Sequence, residues 1–429
     1  MKNNVKVKES ALVGEKYYYI KHESGLDVYV FPKALSTSYA LFGTRYGSLD
    51  NKFKSRSDSD FTVVPDGIAH FLEHKMFENE NGEDTFLRYA RTGASANAYT
   101  SFNMTNYLFS TTDNFYESLE ILLDFVTHPY FTEATVQKEQ GIIGQEIRMG
   151  EDNPGNRLLF DMLKCLYEKH NVRLDIAGTV ESISEITAEL LYKCYNIFYN
   201  LNNMSLCVCG DVDVEKTLEV CDRILKKSPE YDTISEYAEE KPSVYKAYST
   251  RKMQVAKPLF DIGVKITDIS DDPRERMKMR GCLEILNDML FDRASDLYNS
   301  LYTDGIISKA FGYWGEHTKK FSLISISGES GDPDEVYRRF KDQIEKLHKN
   351  GLDRNDFERC FRVAYANYVK GFDSTDSIAN GFLDFIFDDG DILEYGEVLN
   401  SITFEDVEDA FKRIFLEDRF ALSTVYPID

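Results

Sequence analysis

Histidine is scarce in this chain, with seven among 429 residues, and tryptophan occurs once. Basic residues are also in deficit: 50 Lys and Arg against 73 Asp and Glu leave a formal net charge of −23. A chain without a basic surplus has little with which to neutralise phosphates, which argues against nucleic acid as a partner. Long apolar runs are missing too. No stretch approaches the ~20 consecutive apolar residues that a membrane-crossing helix needs, so no membrane association is expected. The opening Met1-Lys2-Asn3-Asn4-Val5-Lys6-Val7-Lys8 leads into no apolar run, and no signal peptide is expected either. The seven cysteines form no Cys-x-x-Cys pair, and their odd number argues against a full disulfide framework. Cys207 and Cys209 alternate along an apparent strand, as buried thiols would. The expectation is free core cysteines in a reducing, cytoplasmic setting.

What is present is ample core material. Apolar residues make up 42% of the chain and aromatic ones 13%, enough for packed interiors. The length suggests two or three domains. Because acidic residues are spread along the chain, they read as a solubilising surface; an acidic cleft that prefers basic peptides is the second reading. Tyr17–Ile20, Leu26–Phe31 and Ser38–Gly43 read as strands, followed by a polar loop to Pro65-Asp66-Gly67. Gly93–Ser101 and Asn106–Thr111 make a plausible hairpin, and helices follow over 115–126, 133–150 and 154–168. A helix over 186–198, a strand over Met204–Gly210 and a helix over 214–226 complete the first half.

The second half then repeats the first. A shift of about 216 residues places Ile186-Thr187-x-Glu189-x-Leu191 on Ile402-Thr403-x-Glu405-x-Val407, and Met204 and Leu206 on Phe420 and Leu422. Phe321–Ile326 stands where the hairpin's second strand stood, and a helix pair after Asp332-Pro333 matches the pair after Asp113. A period of half the chain means duplicated domains. The predicted architecture is therefore α+β: two homologous α/β-sandwich domains, each a mostly antiparallel sheet with helices on one face. Residues 1–226 form the first domain, the polar stretch 227–242 a linker, and 243–429 the second.

Two of the few histidines fall together in Gly67-Ile68-Ala69-His70-Phe71-Leu72-Glu73-His74. On a helix, His70 and His74 project from one face a turn apart, with Glu73 beside them. Two imidazoles can hold zinc, and the carboxylate can take a proton from water. A catalytic zinc needs a third protein ligand, and Glu139 and Glu146 are the best candidates, seven residues apart on one helix. Both could equally point to solvent. The second copy has no such set: its first helix, around Arg280–Leu290, lacks histidine. A shift of 221 puts Cys360 opposite Glu139 and Asn367 opposite Glu146. His317 and His348 stand alone and read as surface residues.

The sequence His70-Phe71-Leu72-Glu73-His74 resembles the inverted zinc signature of the pitrilysin/insulinase peptidases, which include the mitochondrial processing peptidases. Gly93-Ala94-Ser95-Ala96-Asn97-Ala98-Tyr99-Thr100 and Glu139-x-x-Ile142-Ile143-x-x-Glu146 match the same family, and the resemblance covers essentially the whole chain. It implies one half of a clamshell around a chamber that excludes folded proteins, with Zn2+ as cofactor. It also implies Glu146 as the third ligand, Glu139 as the carboxylate that orients a ligand histidine, and Glu73 as general base. Ala96-Asn97-Ala98-Tyr99 would be the edge strand to which a peptide substrate adds.

One departure matters. Family members complete in themselves carry an arginine and a tyrosine in the second half, and both contact substrate. Here Tyr302 occupies the arginine's place and Ser308 the tyrosine's. The resemblance therefore implies the zinc-bearing subunit of a heterodimer, with a related zinc-lacking subunit supplying both groups. The expected function is a zinc endopeptidase for short or unfolded peptides. The alternatives are a catalytically inert assembly subunit and a storage or structural zinc site.

Overall fold

The computed structural model describes residues 5–428. The first four residues, on which part of the signal-peptide reading rests, lie outside it. The chain divides into two compact units, each discontinuous in sequence. Unit 1 takes residues up to Ile147, Asp175–Tyr237 and Val369–Leu393; unit 2 takes Arg148–Leu174, Ala238–Tyr368 and Glu394 onwards.

Unit 1 is built on strands β1 (Lys6–Ser10), β2 (Glu15–Lys21), β3 (Asp27–Pro32), β4 (Ser38–Thr44), β7 (Ser95–Thr100), β8 (Thr105–Thr111) and β9 (Met204–Gly210). Their order is β1-β2-β3-β9-β4-β8-β7, antiparallel throughout except for β3–β9. Three further strands, β5 (Lys52–Ser55), β6 (Thr62–Val63) and β10 (Thr233–Ser235), form a small separate sheet. The stretch expected as a polar loop before Pro65 thus contains two short strands, and β10 within 227–242 pairs with one of them.

Unit 2 carries β11 (Tyr248–Met253), β12 (Leu259–Ile266), β13 (Gly312–His317), β14 (Ser322–Glu329) and β15 (Phe420–Pro427), in the order β11-β15-β12-β14-β13. Only β11–β15 is parallel. This repeats β3-β9-β4-β8-β7 strand for strand, so the duplication read from sequence is a duplication of topology. The pairing is repeated: Gly43 of β4 faces Ser205, and Gly263 of β12 faces Ala421, a shift of 216 residues from Ser205 to Ala421 and of 220 from Gly43 to Gly263.

Both sheets are covered on two faces. β4 and β9 are buried along their whole length, which is why they read as nearly continuous apolar runs, interrupted only by small polar residues such as Ser205, rather than alternating ones. One face of β4, Ala40 and Phe42, joins the core containing Leu119 and Leu122 of helix Phe115–Thr127. On the other face Phe382, from helix Thr375–Phe387 late in the chain, packs edge-on against Tyr17, Tyr29 and Phe31. Unit 2 receives the reciprocal helix, Pro154–Leu166, which packs on β12 and β15. Gly43 and Gly263 leave room for these exchanged helices: a Cβ at Gly263 would collide with Met162, and one at Gly43 would press on Phe387. The compact units therefore do not follow the halves of the repeat.

All seven cysteines are free and buried. His348 is exposed, as expected. His317 is not: it is buried, with Nδ1 held 2.7 Å from Ser322 Oγ, because β13 pairs it directly with Ser322 of β14.

Candidate metal centre

The histidine helix, Ile68–Lys75, is short and buried over most of its surface through Ile68, Ala69, Phe71, Leu72 and Lys75. Its position is fixed at the entry. Gly67 adopts a left-handed φ of 89°, and a Cβ there would collide with the Ala177 carbonyl oxygen. Gly178, at φ +75°, faces the Asp66 carbonyl in the same way, and Ser182 Oγ donates to that carbonyl at 2.8 Å. The two turns lie back to back, and only glycine permits the approach.

His70 and His74 then face the long helix Glu133–Asp152, which presents Glu139 and Glu146. His70 Nε2 lies 3.7 Å from Glu146 Oε1, and His74 Nε2 lies 3.6 Å from Glu146 Oε2. The two imidazole centroids are 4.6 Å apart. One ligand atom from each of these three residues falls within 4.8 Å of the others. Glu139 Oε1 is 3.1 Å from His74 Nδ1. A carboxylate acceptor there places the proton on Nδ1 and leaves the Nε2 lone pair free towards Glu146. Two imidazoles and a carboxylate, with ring nitrogens turned into one gap, are a donor set that fits zinc.

The electrostatics support that use. Burial, aided by His74, holds His70 down to about 4, so its ring is a neutral donor. Burial also pulls His74 down, but the Glu139 hydrogen bond and surrounding carboxylates outweigh it and raise the ring's pKa. Glu73 is buried and raised by desolvation, opposed by Thr100, whose Oγ1 donates to Glu73 Oε2 at 2.6 Å. Burial would raise Glu139 too, yet the His74 hydrogen bond and charge bring it below the ordinary carboxylate range.

Thr100 closes β7, the edge strand of the seven-stranded sheet, and the histidine helix packs beside that strand. Ala96 and Ala98 turn towards the core, while Asn97 and Tyr99 turn outward. Tyr99 accepts from Asn106 and donates to Asn380 Oδ1 at 2.9 Å, which braces the strand's outer face. The structure thus brings His70, Glu73, His74, Glu139 and Glu146 into one cluster, with Ala96–Tyr99 running along the edge that starts there. Sequence reading gave no role to Thr100, Gly67 or Gly178. Their signals were faint: a threonine ending a small-residue strand, and two isolated glycines. Tyr302, in unit 2, is exposed on helix Asp296–Thr303 and stacks on Tyr298, and Ser308 Oγ donates to Glu329 at 3.4 Å.

Comparison with known proteins matches residues 60–180 to "Insulinase (Peptidase family M16)" and residues 185–362 to "Peptidase M16 inactive domain". The chain is 39% identical over 417 residues to "Uncharacterized zinc protease YmfH" of Bacillus subtilis, covering 96% of this chain and 97% of that one. It is 25% identical to "Zinc protease PqqE" of Helicobacter pylori, over 86% and 84% of the two chains. In structure it resembles an M16-like peptidase from Alicyclobacillus acidocaldarius with a TM-score of 0.91, at 31% identity and covering 100% and 99% of the chains. A matching zinc signature, a duplicated sandwich and these likenesses lead to one assignment: the chain belongs to the insulinase family of peptidases, family M16.

Proposed function

We propose that this chain is a zinc-dependent endopeptidase for short or unfolded peptides and works as the zinc-bearing subunit of a heterodimer. The observation that carries the reading is the convergence of His70, His74 and Glu146 beside a buried carboxylate, Glu73, at the end of an open strand edge. His70, His74 and Glu146 would hold a zinc ion, which when bound would supply Lewis acidity at the scissile carbonyl. Glu73 accepts a proton from the attacking water at its carboxylate and delivers it to the leaving amine. Thr100 holds that carboxylate in place. Glu139 fixes the tautomer of His74. The free edge of β7 pairs with the peptide backbone, which orients substrate without demanding much of its sequence.

The competing reading is an inert assembly subunit, favoured by Tyr302 and Ser308 standing where an arginine and a tyrosine would be expected. The test uses the chain together with a zinc-lacking homologue, comparing wild type with Glu73→Gln. Both should contain zinc, while cleavage of an unstructured peptide falls by about 10²–10⁴-fold in the variant. A variant that keeps both zinc and activity would remove Glu73 as the base, and a zinc-loaded wild type inactive in every pairing would favour the assembly role.

A further inference from the structure

The repeat that lacks histidines keeps a cavity of its own. A space of about 360 Å³ opens between helix Pro273–Phe291 and edge strand β13 of unit 2. The helix buries one face through Met277, Cys282, Ile285, Leu286 and Met289, and Arg280, Glu284, Asn287 and Asp288, spaced at helical turns, line this space. From the strand come Tyr313, Trp314, Glu316 and His317.

Two buried polar atoms on these walls have no hydrogen-bond partner: Asn287 Oδ1 and His317 Nε2. Both residues are more than nine-tenths buried, at 6% and 7% exposure. Such atoms are costly to bury unpaired, so they point to an absent ligand. Asn287 Oδ1 can only accept a hydrogen bond. The His317 ring is neutral, held down to about 4 by burial and by the nearby Arg280 and Arg276; in the tautomer whose Nδ1–H donates to Ser322 Oγ at 2.7 Å, Nε2 is left as an acceptor. The remaining walls are anionic: Glu284, Asp288 and Glu316 against a single Arg280. Burial raises both Glu284 and Asp288, opposed by donation from Tyr395 and Tyr313 respectively, so a bound positive charge would relieve them. Trp314 and Tyr313 add aromatic surface suited to a cation.

We propose that this cavity binds a cationic N–H donor group, the guanidinium or ammonium of a basic side chain carried by a peptide. A metal ion is a poorer occupant: among the described residues only His70, His74 and Glu146 bring three ligand atoms within 4.8 Å. The cation site stands on its own geometry, while its assignment to a peptide rests on the peptidase reading.

Trp314 is the only tryptophan in the chain, so its fluorescence reports on this cavity alone. The full-length protein would be titrated with a capped Ala-Arg-Ala tripeptide, its norleucine counterpart, and free agmatine. The expected result is a saturable change with the arginine peptide and none with the norleucine peptide. The Kd should rise at least tenfold in Asp288→Asn and, as a second variant on the other wall, in Glu316→Gln, with circular dichroism unchanged. An equal response to norleucine, no response to arginine, or an unaltered Kd in both variants would overturn the site. Binding of agmatine but not of the peptide would overturn the peptide assignment. None of these readouts needs zinc or turnover, so failure of the peptidase reading would leave them intact and separately legible.

Discussion

Glu139 reaches His74 Nδ1 at 3.1 Å and thereby decides which nitrogen of that ring can bind a metal. Replacing it with glutamine keeps the shape but weakens the acceptor, and outer carboxylates of this kind are worth about 10–100-fold in metal affinity. Glu139→Gln should therefore weaken zinc binding by about that factor in a chelator competition, with the fold intact by circular dichroism. Thr100→Val tests a different link. It removes the 2.6 Å hydrogen bond to Glu73 but touches no ligand, so kcat should drop about tenfold while zinc content stays at wild-type level. A Thr100→Val enzyme that lost zinc would show that the hydrogen bond supports the metal site and not the base. At this scale much was legible. His70, Glu73 and His74 stand out in a histidine-poor chain, and helical spacing puts both rings on one face. The choice between Glu139 and Glu146 was not legible from periodicity, because residues seven apart share a face. Only the packing of the two helices separates the carboxylate at 3.1 Å from Nδ1 from the one beside both Nε2 atoms.

At the scale of elements, β12 carries two tests within three residues. Gly263 lies under the exchanged helix Pro154–Leu166, and a Cβ there would meet Met162 and Leu166. Gly263→Val overfills that contact and should destabilise the protein by about 1–3 kcal/mol, read as a lowered Tm. Asp261 is buried in the same strand, accepting from Ser325 Oγ at 2.7 Å, and burial lifts its carboxyl from 3.8 to about 7. The folded chain thus keeps a proton that the unfolded chain releases near pH 4. Stability falls on this account as pH rises from about 4 to about 7 and levels off above. Asp261→Asn should remove that loss, adding about 1–3 kcal/mol in urea unfolding at pH 8 and little at pH 4. Equal effects at both values would refute the titration as the cause. The central strands were legible because burial on both faces leaves a nearly continuous apolar run, as in Met204–Gly210, where only Ser205 interrupts it. The small sheet of β5, β6 and β10 was not: Lys52–Ser55 and Thr62–Val63 are short and polar, and the central strand, Lys52–Ser55, is held between its near neighbour Thr62–Val63 and the distant Thr233–Ser235. His317 was misread for a similar reason, since the polar run Glu316-His317-Thr318 gives no hint of the strand that buries it.

For the whole molecule, the duplication could be read from a single shift of the sequence, but the exchange of helices between the units could not. An amphipathic helix such as Pro154–Leu166 shows which of its faces is apolar, not which sheet will cover it. The same limit applies to partners. The first repeat brings His70, His74 and Glu146 together, whereas Tyr302 and Ser308 of the second stand where an arginine and a tyrosine are expected from the family resemblance. If those groups come from a second chain, zinc content and turnover must separate experimentally. The purified chain alone should bind about one zinc ion yet cleave an unstructured peptide at least tenfold more slowly than the mixture. Adding a zinc-lacking homologue should raise activity until the two chains are equimolar and no further, with light scattering reporting a complex of the summed mass. Full activity from a verified monomer would refute the two-chain arrangement, and it would do so without disturbing the metal site, because His70, His74 and Glu146 all lie within unit 1.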